Sequence, residues 1–494
     1  MKTNYYHLVK APLWLSLFTA IVFVGCRPEE PDPTPTKDDV LWTDVSGSTL
    51  TNTGNIVIGD MQGDLTYVRE TVILSGAGRT VEVMLECPAM SAIPLTNGYE
   101  DTLRTVENVT LINKGTITIH TKNIVEHFKD KVRTTDNPDR PYYYLRLIGL
   151  FGGSNCTLIN EGLIDVYFDH DKNCPFTVYC FAMIGGEGST ITNNGTIHFH
   201  GNGSPRTRLR GVGTFGDYVT STNNGTMKAE VEMVEDSRMM TSGGSYSFFL
   251  NDGEMIMRQP GRLFGITRYG DNSVINNSLI DITSVDEPSW ATGVVDEEDH
   301  CACGFFEPLN PTHQAMPQMV NNGTINVRIE GSDKTHPMTQ GYGIYFDVMG
   351  PSRKVVDVIN NGTINVSQSG PQHFNMAELG IVTRLALKDD YSGSIKLRNW
   401  HTTLRDFSQT KDLFLIKGGN MDFTGGKLLL ERAAGYTDGT AYSVAPEALV
   451  YNAGGEGYIF TYTGYEELTI ESAYPERQDL HWDEDNQMVS LTNK

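Results

Sequence analysis

Histidine, aspartate and tyrosine side chains recur at matching positions after a repeated Asn-Gly turn. Counted from the turn glycine, Asp165 and His198 occupy one position, and His120, Tyr167 and His200 occupy the position two residues later. Parallel strands about 4.8 Å apart would gather these five side chains into one patch across three neighbouring strands. Imidazole, carboxylate and phenol groups together suit a sugar or a metal ion, whereas the alternative is an ordinary polar surface without a ligand.

A second group of candidates lies just beyond this patch, in the segment GNGSPRTRLRG. Arg206, Arg208 and Arg210 alternate with Thr207 and Leu209, which places the three guanidinium groups on one side of an extended segment. Guanidinium forks suit the carboxylates and sulfates of anionic glycans. The alternative is a set of ion pairs with nearby acidic residues, such as Asp217, Glu232 and Glu235.

We assign these residues to ligand binding rather than to catalysis. The predicted ligand contacts are His120, Tyr167, Arg206, Arg208 and Arg210. An enzyme acting on polysaccharides needs paired carboxylates, or acidic residues that hold Ca²⁺ beside a basic residue, and no such set stands out in the sequence. If the chain is an enzyme, the candidate catalytic residues are Asp165, His198, His200 and Arg208. We expect no metal and no cofactor, with Ca²⁺ as the exception in a lyase.

The elements that position these residues are copies of one repeat. Aligned on the turn glycine or its equivalent, the copies are LTNTGNIVI (Gly54), LINKGTITIH (Gly115), LINEGLIDVYF (Gly162), ITNNGTIHFH (Gly195), STNNGTMKAEVE (Gly225), LNDGEMIMR (Gly253), INNSLIDIT (Ser278), VNNGTINVRI (Gly323) and INNGTINVS (Gly362). An Asn-Gly pair alone would supply the positive φ angles of a tight turn, yet the flanking residues match as well. Spacings of 25 to 61 residues are typical of a solenoid whose coils carry insertions of variable length.

After each turn, apolar residues alternate with polar ones, as in Ile197 and Phe199, which predicts a strand with one buried side. Parallel stacking of such strands also places each Asn above the next, so that the side-chain amides form an internal or corner ladder. We therefore expect replacement of Asn194 or Asn322 to destabilise the fold, and replacement of the outward Asn326 to be tolerated.

This repeat resembles the right-handed parallel β-helix of pectin-lyase-like proteins and autotransporter passenger domains, over roughly residues 45–370. The predicted fold is all-β: a single-stranded right-handed parallel β-helix with irregular insertions over residues 40–380, followed by degenerate coils and a C-terminal β cap over residues 381–494. The alternative is a sandwich of antiparallel hairpins. One helix is predicted over residues 123–132, inside an insertion.

The N-terminal segment MKTNYYHLVKAPLWLSLFTAIVFVGC predicts export. Two lysines precede an apolar run that is too short to cross a bilayer as a helix. Its end, FVGC, resembles the lipobox of bacterial lipoproteins, with Phe where Leu is usual. This resemblance implies a signal peptide over residues 1–25, lipidation of Cys26, and a Pro-rich acidic tether over residues 26–39. The acidic pair Glu29-Glu30 resembles a signal for surface exposure, so we expect a lipid anchor in the outer membrane and a protein that faces the cell exterior.

Seven cysteines are present, and lipidation of Cys26 would leave six. Cys174 and Cys180 close a short loop and are candidate disulfide partners in an oxidising compartment, although the sequence alone does not select a pairing. Cys301 and Cys303 lie too close together in an extended segment for an easy mutual bridge. A metal site could also be built from His300, Cys301, Cys303 and His313. The spacing of these four residues does not match that of common zinc sites.

The chain has a formal net charge of -23 and a pI near 4.9, so nucleic acid is not an expected partner. The run Tyr142-Tyr143-Tyr144 offers at least one outward aromatic ring for a sugar. We predict a monomeric cell-surface lipoprotein that acts as an adhesion or glycan-binding module, with a polysaccharide or a host or cell-surface ligand as its partner. The alternative function is a polysaccharide lyase or glycoside hydrolase of the same fold.

Overall fold

The computed structural model describes residues 40–59, 69–74, 81–92, 106–138, 142–285, 301–309, 318–330, 340–348, 355–369, 375–383, 394–453 and 460–494. All of them belong to one compact unit, Thr34–Lys494. The predictions for the signal peptide, for lipidation of Cys26 and for the tether lie outside these residues. So do His300 and His313.

Three sheets of stacked strands form the body of the molecule. Sheet A contains β1 (Leu41–Trp42), β4 (Arg69–Leu74), β5 (Val81–Ser91), β8 (Tyr142–Phe151), β11 (Val178–Gly185), β14 (Thr207–Thr214), β17 (Asp236–Thr241), β20 (Arg262–Thr267), β23 (Cys301–Leu309), β26 (Gln340–Val348), β29 (Asn375–Thr383), β31 (Phe414–Lys417) and β35 (Val450–Asn452). Sheet B contains β2 (Thr49–Asn52), β6 (Thr110–Asn113), β9 (Thr157–Asn160), β12 (Thr190–Asn193), β15 (Thr220–Asn223), β18 (Phe248–Asn251), β21 (Ser273–Asn276), β24 (Gln318–Asn321), β27 (Val355–Asn360), β30 (Ser394–Leu404), β32 (Gly419–Asp422), β33 (Lys427–Arg432), β36 (Phe460–Thr463) and β37 (Thr469–Ser472).

Sheet C lies between the other two along the chain. It contains β3 (Asn55–Ile58), β7 (Thr116–His120), β10 (Leu163–Phe168), β13 (Thr196–Gly203), β16 (Thr226–Met233), β19 (Glu254–Gln259), β22 (Leu279–Ser284), β25 (Thr324–Glu330) and β28 (Thr363–Ser369). One coil runs from a sheet B strand through the Asn-Gly turn into sheet C, then into sheet A and back to sheet B. The described pairings within these sheets are parallel, apart from β4 with β5. The fold is therefore a right-handed parallel β-helix, as predicted, and not a sandwich of hairpins.

The core is a column of side chains that repeats from coil to coil. Ile164, Ile197 and Met227 pair in register along sheet C, and each is fully buried. Complete burial of such a side chain contributes about 1.5–3 kcal/mol. The outward neighbours of these residues are polar, because a strand alternates its two faces with a period of two.

A ladder of buried asparagines runs through the coils at the ends of nine sheet B strands, from β2 to β27. Each Nδ2 donates to the Oδ1 of the Asn in the next coil at 2.7–2.8 Å, and the last donates to the His401 carbonyl at 2.8 Å. The members, all at 0% exposure, are Asn52, Asn113, Asn160, Asn193, Asn223, Asn251, Asn276, Asn321 and Asn360. The predicted internal ladder therefore exists.

In the later coils, the residues that follow the buried asparagines form exposed side-chain hydrogen bonds of their own, and this corrects the choice of Asn194 and Asn322. Asn224 Nδ2 donates to Asn194 Oδ1 at 2.8 Å, and Asn361 Nδ2 donates to Asn322 Oδ1 at 2.8 Å, both on the surface. Water competes for exposed amides, so these bonds contribute less to stability than buried ones. The residues that carry the buried bonds are one position earlier in the chain.

The turn glycines are required for a reason other than positive φ. None of the eight turn glycines, all in described ranges, has a positive φ angle. A Cβ on Gly115, Gly195 or Gly225 would instead lie 2.0–2.1 Å from the carbonyl oxygen of the equivalent glycine in the preceding coil. The turn backbone also bonds to that coil, as when Thr226 N donates to Gly195 O at 3.0 Å. The turn is copied because each copy packs directly on the previous one.

Sheet C ends at β28, whereas sheets A and B continue toward the C-terminus. The antiparallel sheet D, formed by β34 (Tyr442–Ser443), β38 (Gln478–Asp483) and β39 (Met488–Asn493), lies beyond them and completes the predicted C-terminal β cap. The predicted helix is present as α1 (Thr121–Phe128), and two short helices, α2 (Phe407–Thr410) and α3 (Pro446–Leu449), and one 3-10 turn (Tyr465–Glu467) accompany the cap. In the described part of the chain, no helix has the length and apolar character of a membrane span.

The described cysteines form no disulfide bonds with one another. Cys174 and Cys180 are both buried and unbonded, which corrects the suggestion of a short-loop disulfide. Cys180 lies in a sheet A strand, with its side chain in the core, whereas the Cys174 thiol points to the Phe176 carbonyl at 3.5 Å. The two side chains thus have separate environments despite their short separation in the sequence.

Candidate functional site

The outer face of sheet C carries the predicted patch, with its residues in the two predicted rows. Asp165 on β10 pairs with His198 on β13. Tyr167 on β10 pairs with His120 on β7 and with His200 on β13. The intervening residues of these strands point into the core, so the five patch residues keep part of their surface in solvent.

Within the patch, one carboxylate and two imidazoles converge. Asp165 Oδ1 lies 3.0 Å from His200 Nε2 and 3.3 Å from His198 Nδ1, and we call these residues the Asp-His-His triad. The two imidazole rings stack at 4.4 Å with an interplanar angle of 10°. Burial lowers the pKa of His198 below its usual value, and the adjacent His200 lowers it further, so the neutral imidazole is favoured.

Of the two remaining patch residues, Tyr167 contacts the triad and His120 contacts Asp169. The centroid of the Tyr167 ring lies 5.0 Å from that of the His200 ring and 5.8 Å from that of the His120 ring, which it meets edge-on. Asp169, the residue directly after β10, has its Oδ2 3.5 Å from His120 Nδ1 and accepts a hydrogen bond from Lys122 N at 2.7 Å. Asp169 therefore caps the N-terminus of α1, and the helix insertion is fixed beside the patch.

The arginine segment does not join this patch, because it belongs to sheet A. Arg208 on β14 donates to Tyr179 Oη at 2.7 Å and pairs with Glu235, one of the acidic partners considered for it. Arg210 is 6% exposed and lies 2.9 Å from Asp236, so its guanidinium has no surface for a ligand. The structure therefore separates Arg208 from Asp165, His198 and His200, with which it was grouped as a catalytic candidate.

Arg206 is the member of that segment that stays near the surface. Its Nη2 donates to Thr135 Oγ1 at 3.2 Å in an exposed contact. Of the three arginines predicted to bind an anionic glycan, two thus have internal partners. The alternative prediction, that these arginines form ion pairs with acidic residues of the protein, is correct for Arg208 and Arg210.

A feature that the sequence analysis missed lies at the corner between sheets A and B. The residue two positions before each early sheet B strand has a positive φ, and along successive coils it is Gly47, Asn108, Asn155, Gly188, Tyr218 and Tyr246. The first four residue types tolerate this left-handed conformation, but tyrosine rarely adopts it. The φ angles of Tyr218 and Tyr246 are 60° and 58°.

These two tyrosines form an exposed aromatic pair, which we call the corner tyrosines. Their rings stack with centroids 5.3 Å apart and an interplanar angle of 17°. Tyr218 is 59% and Tyr246 is 53% exposed, more than any other large aromatic residue in the described ranges. The segments EGS, GDYV and GSYS contain the corner residues Gly188, Tyr218 and Tyr246. Their alignment would have revealed from the sequence that tyrosine replaces Gly or Asn at this position.

A polar cavity of about 330 Å³ lies beside β28, the last strand of sheet C among the described residues. Glu378 accepts hydrogen bonds from Trp400 Nε1 at 2.8 Å, Thr402 Oγ1 at 2.7 Å and Arg405 Nη2 at 2.9 Å. Burial raises the pKa of Glu378 above its usual value despite these bonds. Glu378 is thus bonded by residues of the chain itself, and its network connects β29 to β30.

The fold defines the class: the chain carries a pectate-lyase-like right-handed parallel β-helix domain. Residues 40–225 match the family of the BigA third pectate lyase-like domain. This similarity covers the Asp-His-His triad and Tyr218 but not Tyr246. No curated protein and no solved structure matches the chain significantly.

Proposed function

We propose that this protein is a glycan-binding module of the cell surface, in which the corner tyrosines stack on sugar rings. The observation that carries the proposal is their combination of strain and exposure. Each of the two tyrosines has a left-handed backbone conformation, and the equivalent residue in the four preceding coils is Gly or Asn. Both rings nevertheless remain more than half exposed.

The contact between the two tyrosines does not offset the energetic cost of their left-handed backbone conformations. Left-handed backbone costs about 1–2 kcal/mol for each residue with a side chain. Mutual stacking of two rings contributes about 0.5–1.5 kcal/mol, which is less than the combined cost of Tyr218 and Tyr246. Strained residues that persist on a surface are concentrated at binding sites, because the ligand uses the geometry that the fold holds in place.

Charge favours a neutral glycan over an anionic one. The chain has a formal net charge of -23, which repels polyanions. Arg208 and Arg210, the residues first considered for anionic sugars, are paired with Glu235 and Asp236. A tyrosine ring, by contrast, offers an apolar face to a sugar ring and a hydroxyl to its polar edge.

Affinity electrophoresis against a panel of neutral and anionic polysaccharides tests the proposal. We expect retention on at least one neutral polysaccharide, and Tyr218→Asn and Tyr246→Asn should each weaken it at least tenfold, equivalent to about 1.4 kcal/mol. Asn is the replacement of choice because Asn108 and Asn155 occupy the same corner position. A variant that folds normally and fails to bind therefore reports on the ring.

Tyr462→Asn is the matched control, since Tyr462 is 38% exposed on a strand outside the corner. It should bind as the unmodified protein does. Retention that is unchanged in both corner variants would refute the role of the corner tyrosines. Retention on no polysaccharide would refute glycan binding altogether.

The membrane anchor forms part of the same proposal. Lipidation of Cys26 would tether the β-helix to the outer membrane through the Pro-rich segment that follows, facing the cell exterior. We expect Cys26→Ala to abolish labelling by a fatty-acid probe and to release the protein from the membrane fraction. Protease treatment of intact cells should degrade the anchored protein, whereas protection until lysis would place it on the inner side.

Catalysis is the competing function, and the same assay addresses it. The structure leaves Asp165, His198 and His200 as the catalytic candidates that lie together. New reducing ends and unsaturated products are measured for the same polysaccharides on which retention is measured. Turnover that Asp165→Ala abolishes would favour an enzyme over a binding module.

A further inference from the structure

Two imidazoles and one carboxylate on the outer face of sheet C have the spacing of metal ligands. The three donor atoms of Asp165, His198 and His200 lie within 4.8 Å of one another. Two of the separations are 3.0 Å and 3.3 Å. Metal–ligand bonds of about 2.0–2.2 Å with tetrahedral angles place neighbouring ligand atoms roughly 3.3 Å apart.

We propose that the Asp-His-His triad binds a divalent transition-metal ion of the zinc class. The donor set decides the kind of ion. Imidazole nitrogen suits zinc and its neighbours in the first transition row. Calcium takes six to eight oxygen ligands, and this cluster offers a single carboxylate. This ion replaces both the expectation of no metal and the reserved possibility of Ca²⁺.

The β-helix holds the three ligands in place before any ion arrives. His198 and His200 stand two residues apart on β13, so the strand period places both on the outer face. Asp165 is the parallel partner of His198 on β10. Strands β7 and β16 pair with the outer edges of these two strands, which limits their movement.

The surroundings supply the partners that metal-binding histidines use. His198 Nε2 is buried and finds no hydrogen-bond partner among the described residues, yet Glu230 Oε2 lies only 3.9 Å away. A metal on Nδ1 would leave Nε2 protonated and facing that carboxylate, as second carboxylates commonly do at metal sites. Tyr167 packs on His200 and restricts its ring.

The site also has room for further ligands. The side chains of Asp165, His198 and His200 are 23%, 28% and 32% exposed, so solvent reaches the open side of the triad. Three protein ligands with an open position are typical of sites that bind water or a ligand. Without a metal, Asp165 Oδ1 accepts a hydrogen bond from His200 Nε2 and lies beside His198 Nδ1, an arrangement that the experiment must distinguish from metal binding.

The test is zinc titration of the full chain by calorimetry, after purification without a polyhistidine tag and dialysis against a chelator. We expect one high-affinity Zn²⁺ per chain and a rise in melting temperature on adding Zn²⁺. Asp165→Asn, His198→Ala and His200→Gln should each weaken Zn²⁺ binding at least tenfold. Glu230→Gln, which removes the charge facing His198, should weaken it to a smaller extent.

His120→Ala is the matched control, because His120 is on the same face and one strand away, and contacts Asp169 rather than the triad. It should leave the Zn²⁺ affinity unchanged. Co²⁺ in place of Zn²⁺ should give visible absorption bands that the His198→Ala variant lacks. Absence of Zn²⁺ binding, or a Zn²⁺ affinity in the His198→Ala and His200→Gln variants equal to that of the unmodified protein, would overturn the proposal and leave Asp165 as a hydrogen-bond acceptor only.

The zinc site is independent of the glycan proposal. Tyr218→Asn should bind Zn²⁺ normally, because Tyr218 lies at the corner between sheets A and B rather than on sheet C. Loss of Zn²⁺ binding in a triad variant with glycan retention intact would therefore separate the two sites. Each proposal can fail without the other.

Discussion

Asn193 Nδ2 donates a hydrogen bond to Oδ1 of Asn223, one coil further on, at 2.8 Å. Asn193 Oδ1 in turn accepts from Asn160 Nδ2 at 2.8 Å, so the amide is bonded on both sides in a fully buried position. The ladder links each coil to its neighbours through side chains as well as backbone. Its amides point the same way from Asn52 to Asn360.

Replacement of Asn193 should therefore destabilise the fold far more than replacement of its neighbour. Asn193→Ala leaves an acceptor on Asn223 and a donor on Asn160 without their partners, at a cost of about 2–4 kcal/mol. Asn194→Ala removes an exposed bond and should cost less than about 1 kcal/mol. Urea unfolding of both variants makes the comparison. Equal losses would show that the buried ladder has no special weight.

Replacement of a turn glycine should disrupt the stack of coils. A Cβ on Gly225 would lie 2.0 Å from Gly195 O, so Gly225→Ala forces the coils apart and should cost about 3 kcal/mol or more. Ser278 is the natural control, because its coil already carries a Cβ and its Leu279 N–Gly253 O bond is lengthened to 3.4 Å. Ser278→Ala should change the unfolding free energy by less than about 0.5 kcal/mol. A mild effect of Gly225→Ala would contradict the close packing of the turns.

Removal of a corner tyrosine should increase stability while it weakens binding. Tyr218→Asn relieves left-handed strain and loses part of the stacking with Tyr246, for a net gain of up to about 1 kcal/mol in unfolding free energy. Thermal unfolding measures this gain. A clear loss of stability would show that the ring supports the fold, and the backbone strain at Tyr218 would then give no support to a binding role.

Mild acid should weaken the fold through His170. This side chain is buried with Thr121 Oγ1 at 2.7 Å from Nδ1, and burial lowers the pKa of His170 to about 4 although Asp169 and Asp171 act in the opposite direction. The unfolded chain, with a histidine pKa near 6.5, binds this proton more readily. The contribution of neutral His170 to the free energy of unfolding is therefore complete above pH 6.5. It is lost as the pH falls toward 4, and the loss reaches about 3 kcal/mol.

Urea unfolding at a series of pH values tests this dependence. His170→Gln should flatten the fall in unfolding free energy between pH 7 and pH 4. His481→Ala is the control, because His481 is exposed on sheet D, and should leave the pH profile unchanged. An unaltered slope in the His170 variant would assign the acid sensitivity to other groups.

The stacking of the coils could be read from the sequence because turn spacing and strand alternation repeat together. Once each turn glycine is placed above the last, a strand period of two determines which residues point outward. The rows through Asp165 and His198, and through Tyr167 and His200, follow from that rule and recur as strand pairs in the structure. The helix near residue 123 was likewise predictable, with bounds two to four residues from those observed.

Tertiary structure decided what local pattern does not contain. Asn193 and Asn194 are identical in type and adjacent in sequence, and only the path of the turn buries the first and exposes the second. The acidic partners of Arg208 and Arg210 come from the following coil, whose sequence distance varies with each insertion. The sequence by itself determined a parallel stack and its register, because both depend on short periods along one chain. Burial, charge pairing and the strained corner at Tyr218 depend on contacts between coils, which exist only after the chain has wound.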